Sequence, residues 1–275
     1  MTPAFLLPWA KSFAHELRLG VWNHDGLALF HRQGETWELL GGEEVADRLD
    51  VLGDDPRMWI QLRKEACGWG GPVRFPNLGP DAFALRHRQD TDILERTDRS
   101  PFVQLPSDFQ TYLGSLERKS RHELKRKLAR AQRQCDGLAL VEGLEQIETF
   151  LRLHRTSRPE KRDFMQDGME SFFLDLGRSL EQAGMLSLRT LMSGGTPLAS
   201  VFEIRFAGVL HLYNSGYDPA HAALSPGLVL IARCLEQACR EGLREYDFLR
   251  GSERYKYDLG GRDRPVCRLT WPVPV

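Results

Sequence analysis

Between Met185 and Tyr213 the chain reads as three strands in immediate succession. Met185 to Leu191, Pro197 to Phe206 and Val209 to Tyr213 are separated only by Ser193-Gly194-Gly195-Thr196 and Ala207-Gly208. Connections this short force antiparallel hairpins, because a parallel crossover needs a dozen or more residues. The second half of the chain is thereby committed to an antiparallel sheet, and its neighbours must pack on that sheet. Leu138 to Val141 precedes the run as a strand. Leu144, Ile147, Phe150 and Leu151, then Met169, Phe172, Phe173, Leu176 and Leu180, follow helical spacing, and Gly184 ends the second helix as a C-cap. A helix from Gly227 to Glu241 comes after, then a strand Glu245 to Leu249, a short helix Ser252 to Asp258 and a last strand Val266 to Trp271. The order is β-α-α-β-β-β-α-β-α-β.

The first hundred residues read as short strands with one helix. Gly20 to Trp22, Leu27 to His31 and Trp37 to Leu40 are strands, joined by turns at His24-Asp25-Gly26 and Gln33-Gly34-Glu35. Asp55 to Glu65 is a helix, and Gly68 to Pro80, with its glycines and Pro72, Pro76 and Pro80, is loop. Phe83 to His87 and Phe102 to Leu105 close the section as strands. Ser107 with Gln110, and Ser120 with Glu123, then read as capping boxes opening two amphipathic helices. From Glu117 to Arg133 stand Arg118, Lys119, Arg121, Lys125, Arg126, Lys127, Arg130 and Arg133 against Glu117 and Glu123, a local surplus of six positive charges. Two readings fit: a solvated helix face, or the wall of a groove for an anionic substrate or carrier.

That surplus is local. The 275 residues carry 37 Lys and Arg against 38 Asp and Glu, so the molecule as a whole is no electrostatic nucleic-acid or membrane binder. The five cysteines form no CxxC pair and match no zinc spacing, which points to reduced thiols, no metal and a cytoplasmic protein. MTPAFLLPWAKSF lacks a basic start and is broken by proline, so neither a secretory signal nor a membrane span is expected.

Two stretches can carry chemistry. In Ala223-Leu224-Ser225-Pro226-Gly227, Ser225 is placed to cap the following helix and Pro226 fits its first position. The amides of Gly227, Leu228 and Val229 then point outward at the positive end of a helix dipole, which suits a phosphate or serves a well-capped helix alone. The second stretch, Asp247-Phe248-Leu249-Arg250-Gly251-Ser252-Glu253-Arg254-Tyr255-Lys256-Tyr257, gathers titratable groups at one strand end; Asp247 capping the turn and Arg250 pairing with Glu253 is the plainer reading.

Together the Ser-Pro-Gly helix start, the Asp-Phe-Leu-Arg-Gly strand end and the Glu-x-Tyr-Lys after it resemble the acetyltransferase domain of cellulose-biosynthesis CelD-type proteins, relatives of the Fem peptidoglycan aminoacyltransferases. The element order is similarly that of the GCN5-related (GNAT) acetyltransferase fold. Leu105-Pro106-x-x-Phe109-x-x-Tyr112-Leu113-x-x-Leu116, with Lys119-x-Arg121, resembles the family's linking segment. Ala222-Ala223-Leu224-Ser225-Pro226-Gly227 stands where the family usually has Arg/Gln-x-x-Gly-x-Gly.

The resemblance implies an α/β (α+β) protein of two GNAT-like acyltransferase subdomains, each a mixed, mostly antiparallel sheet flanked by helices. The expected division is 1–106, a basic helical connector 107–134, and the acyltransferase subdomain 135–275. It implies an N-acyltransferase moving an acyl or acetyl group from acyl-CoA to an amine of a sugar, peptide or small metabolite. A Fem-like ligase using aminoacyl-tRNA, or a binding subunit without catalysis in polysaccharide assembly, are the alternatives. Tyr213, Asn214, Ser225, Pro226, Gly227 and Leu228 are the expected donor contacts. Tyr255 is the expected acid, with Glu203, His211 or Asp247 the base. Arg250, Glu253, Lys256, Arg121 and Lys125 are expected on the acceptor or an anionic carrier.

Overall fold

Apolar spacing and turn chemistry set most of the boundaries observed in a computed structural model, which describes residues 2–14, 16–22, 26–166 and 168–272. The expected turn at His24 and Asp25 lies outside them. In chain order the elements begin α1 (Pro3–Phe13), β1 (Leu17–Trp22), β2 (Gly26–Gln33), β3 (Thr36–Leu39), α2 (Pro56–Ala66), β4 (Val73–Leu78), α3 (Phe83–Arg86) and β5 (Ile93–Gln104). They continue α4 (Phe109–Ser115), α5 (Arg118–Gln134), β6 (Ala139–Glu142), a 3-10 turn Leu144–Gln146, α6 (Ile147–Ser157), α7 (Pro159–Phe164) and α8 (Met169–Gln182). Then come β7 (Leu186–Ser193), β8 (Thr196–Phe206), β9 (Val209–Tyr217), a second 3-10 turn Pro219–Leu224, α9 (Pro226–Arg240), β10 (Glu245–Asp247), α10 (Arg254–Asp258) and β11 (Arg262–Trp271). The chain divides into two compact units, Met1–Ser100 with Arg264–Val275, and Pro101–Asp263.

In the first unit the strand order is β1-β2-β3-β4-β11. β4 was expected as loop because of Pro76. It pairs with β11 nonetheless, Leu78 with Cys267 and Phe75 with Leu269, and the register slips between those pairs. Pro76 and Asn77 fall in that irregularity, Asn77 with φ +54, so the missing proline N–H costs no ladder bond. Phe83–Arg86 was expected as strand and is a short helix instead. The Asp50 carboxylate accepts from the Phe83 amide at 2.7 Å and the Ala84 amide at 3.2 Å, and holds the turn. Phe30, Trp59, Phe75 and Trp271 form the aromatic core, with Phe75 and Trp271 4.6 Å apart.

The second unit is a mixed, mostly antiparallel sheet in the order β5-β10-β9-β8-β7-β6. β10 runs parallel to β9 and antiparallel to β5, and the hairpins β6-β7-β8-β9 are antiparallel throughout. On one face α9 lays Val229, Leu230, Ile231, Cys234, Leu235 and Ala238 over Val201, Leu210, Leu212 and Tyr246, joined by Tyr112 and Leu113 of α4 and Leu124 and Ala131 of α5. Each of the buried Val, Leu and Ile side chains contributes about 1.5–3 kcal/mol over exposure. On the other face α6 and α8 bring Phe150 and Phe173 onto Phe202. The Gly184 C-cap is as expected, with φ +66 and the Met185 amide reaching back to Leu180. The two expected capping boxes are not formed. Asp108 caps α4 by accepting from Thr111 at 2.8 Å, and α5 starts at Arg118, which places Ser120 inside the helix.

Candidate active site

β9 and β10 run side by side over three residue pairs, ending with Asp247 opposite His211. There β10 stops. The Phe248 amide turns to the Pro101 carbonyl, Asp247 accepts from the Leu249 amide at 2.9 Å, and Leu249 adopts a left-handed backbone at φ +57. That conformation is costly for a residue with a branched side chain and marks a shape the fold holds in place. β9 continues from Leu212 to Tyr217, so the two strands part and leave a notch.

Beside this notch the register of β8 against β9 slips: Phe202 pairs with Asn214 and Glu203 with Leu212, leaving Tyr213 as the extra residue. A bulge interrupts strand alternation. Tyr213 and Asn214 consequently both turn toward the helices on the α6 face, where the Tyr213 ring lies 5.6 Å from Phe173 and Asn214 Oδ1 lies 2.8 Å from His154 Nε2. α6 crosses β9 so closely that a Cβ on Gly216 would stand 2.3 Å from the His154 backbone nitrogen, which only glycine avoids. Burial, then the charge of Lys161, push His154 down to about 4. Its ring is neutral at pH 7, and an Nε2–H tautomer donates to the Asn214 oxygen.

Lys161, on α7, donates from Nζ to the Ser215 carbonyl in the notch segment of β9. Burial and then the Arg158 charge push its ammonium down to about 8, with Lys256 adding to the shift and Glu253 opposing it. His154, Arg158 and Lys161 were not singled out from the sequence. Arg158-Pro159 carried one signal, since proline at a first helical position announces a new helix directly after Ser157; the burial of Lys161 had none.

The loop after β10 closes the other side. Lys256 is buried, and Nζ donates to the carbonyls of Leu249 at 3.1 Å, Arg250 and Gly251 and pairs with Glu253 at 2.9 Å. It straps the loop together with a filled set of partners. Tyr255 packs beside Phe248; burial and then the Glu253 charge raise its phenol, which stays protonated at neutral pH. Arg250 is half-buried and Glu253 exposed.

The remaining expected residues lie in different surroundings. Glu203 is on the α9 face, 0% exposed. It accepts from Tyr246 at 2.6 Å, Ser187 at 3.0 Å and Arg189 at 3.2 Å, and burial raises its carboxyl against the pull of Arg189. His211 keeps 15% exposure beside fully buried Asp247, Nδ1 to Oδ2 3.6 Å. Ser225 is left-handed at φ +54 and makes no side-chain cap. Its carbonyl takes the Val229 amide as the first helical bond, so the amides of Gly227 and Leu228 lie ahead of the helical ladder. The nearest atom to a Cβ on Gly227 is a Tyr217 ring carbon at 4.0 Å, so the helix start is uncrowded. α5 packs against α9 and the 3-10 turn before it. On α5, Arg121 donates to the Gly114 carbonyl at 3.0 Å, Arg126 pairs with Glu123, and Lys125 is exposed. Among the described residues no group of His, Cys, Asp and Glu side chains is arranged to hold a metal ion, and no helix is long and apolar enough to cross a membrane.

A family model described as an acetyltransferase (GNAT) domain matches residues 118–257, half of the chain and the whole of the notch. The chain belongs to the GNAT acetyltransferase family. Across solved structures this GNAT protein is similar to FemX, with TM-score 0.70 at 11% identity over 98% of this chain and 91% of that one. It is also similar to the C-terminal domain of a putative lysylphosphatidylglycerol synthetase from Agrobacterium fabrum, TM-score 0.66 at 14% identity over 93% and 84%. A tandem GNAT protein from the clavulanic acid biosynthesis pathway follows at TM-score 0.52 and 12% identity over 100% and 89%. Identities this low speak to the fold alone. No curated protein matches the GNAT chain in sequence.

Proposed function

We propose that this protein is an N-acyltransferase that moves an acyl group from acyl-CoA to an amine by direct attack. The observation that carries the reading is the parting of β9 from β10 immediately after His211 and Asp247, next to an α9 start whose Gly227 is uncrowded. An extended thioester donor fits beside β9 from Leu212 to Tyr217, as an added strand would. Its phosphates reach the amides of Gly227 and Leu228 at the positive end of α9, with the basic α5 nearby. Tyr255, protonated at neutral pH, is suited to give its proton to the leaving thiolate. Glu203 is committed to Arg189, Tyr246 and Ser187 and sits on the α9 face of the sheet, which argues against it as the base.

The test is calorimetric titration with acetyl-CoA, then thiol release against a panel of amines. Gly227→Asp sets bulk and negative charge beside the phosphates and should abolish donor binding in the folded variant. Tyr255→Phe should bind donor normally and lose roughly 10²–10⁴-fold in turnover. Unchanged acetyl-CoA affinity in Gly227→Asp would move the donor site elsewhere.

One observation favours a second reading. α5 carries eight basic side chains against Glu123 alone within its span, which suits the phosphates of an aminoacyl-tRNA, as the Fem resemblance implies. Salt-dependent gel shifts with tRNA, together with no acetyl-CoA binding, would select it.

A further inference from the structure

The acceptor amine is an ammonium at neutral pH and must lose a proton before it can attack. Among the groups at the notch, one is placed to take it. Lys161 Nζ lies on the Ser215 carbonyl, in the segment of β9 that has parted from β10. His211 still stands within the paired ladder opposite Asp247, and Glu203 is sealed on the other face. Lys256 is more deeply buried than the half-buried Lys161, and carbonyls of its own loop and Glu253 surround its Nζ.

We propose that Lys161 is the proton acceptor for the incoming amine, held in the notch by the Ser215 carbonyl. This rests on the acyltransferase reading above. Among the described residues, the charged groups facing Lys161 are Arg158 ahead of its own helix, and Glu253 and Lys256 from the loop after β10. His154 of α6 stands near and is neutral, and Tyr255 shares Arg158 and Glu253 as neighbours. Two cations against one carboxylate favour the neutral amine, and the downward shift to about 8 agrees with that setting. An appreciable fraction of Lys161 is then unprotonated near neutral pH.

The step balances without any further reactant. Neutral Nζ takes one proton from the acceptor's ammonium. The freed nitrogen lone pair forms the C–N bond as the C–S bond breaks, and the nitrogen's second proton goes to the leaving thiolate by way of Tyr255. Lys161 returns its proton to solvent.

The chain has only seven lysines, so side-chain NMR of lysine-labelled protein can follow each one, with Lys161 assigned by its loss in Lys161→Arg. A Lys161 resonance titrating near pH 8 is expected; titration at an ordinary lysine value would overturn the proposal whether or not the donor is known. Lys161→Arg keeps a positive charge and a donor for Ser215 but cannot release a proton. In the thiol-release assay it should remain folded and bind acetyl-CoA, lose at least ~100-fold in kcat, and lose the acid limb of the wild-type pH profile. Lys161→Ala should recover part of its rate with added ethylamine. Turnover in Lys161→Arg within threefold of wild type would sink the proposal while leaving the acyltransferase reading intact. No turnover in wild type with any acyl-CoA would sink that reading and this assignment with it.

Discussion

The two faces of the sheet in the second unit handle buried charge in opposite ways. On the α9 face, Glu203 and Arg189 are both almost wholly inaccessible, and Tyr246 and Ser187 fill out the carboxylate. On the α6 face, Lys161 carries a lowered ammonium that, among the described residues, donates to the Ser215 carbonyl in the notch, and His154 is kept neutral. The Glu203 carboxylate is filled by three donors, although Arg189 Nη2 makes no hydrogen bond among the described residues; a network filled in this way fixes structure. An incomplete one leaves proton affinity adjustable, which is what acid–base chemistry needs. The contrast teaches that burial alone does not mark a catalytic carboxylate; what matters is whether its partners leave it free to change charge.

The contrast breaks most sharply at Arg189. Arg189→Met should leave Glu203 buried without its cation and cost about 3–5 kcal/mol in chemical denaturation. A variant as stable as wild type would show that the α9 face is not closed. The α6 face answers to pH instead. His154 has a folded value of about 4 against an ordinary 6.5, so its contribution is fully present above pH 6.5 and is lost as pH falls toward 4. The shift corresponds to about 3 kcal/mol. Urea denaturation at pH 7 and pH 4 should show that loss in wild type and lack that part of it in His154→Gln. Equal losses in both proteins would mean that His154 is not the group responsible.

The smallest effect on stability belongs to α5, outside both networks. Reversing the exposed Lys125 and Arg126 together should change folding stability by under ~1 kcal/mol, as exposed charges do. The same variant should weaken an anionic ligand at low salt, with the difference shrinking as salt is added. Identical ligand affinity at every salt concentration would leave α5 as a solvated face.

What was legible in the sequence follows from how local the signals are. The hairpins of β7, β8 and β9 were carried by short turns and alternation, and α9 by Pro226 and its apolar stripe. β4 was hidden because Pro76 speaks against a strand unless the bulge in the partner register is known. The helix Phe83–Arg86 was hidden because its cap, Asp50, lies some thirty residues upstream. At the candidate site, Asp247 and Tyr255 were singled out from the strand end and its following helix and His211 from a central strand; the structure sets Asp247 opposite His211 and Tyr255 beside Phe248. Glu203 read as a base on a central strand or as a surface strand residue, and the covering helix α9 makes it a buried one. Lys161 and His154 gain their character from β9, some fifty residues downstream, and no local pattern announces that.

The division of the chain into units has a consequence for synthesis. The first unit takes its last strand from residues after Arg264, and β11 contributes the Trp271 ring that meets Phe75 at 4.6 Å and lies under the Arg63 guanidinium at 4.1 Å. The second unit is complete in sequence before β11 ends. On a ribosome, which delivers the chain from its N-terminus, strands β1 to β4 emerge long before the β11 with which β4 pairs. β4, with Phe75 uncovered, stays an unpaired edge until then. The order of synthesis and the order of completion therefore run in opposite directions along this chain.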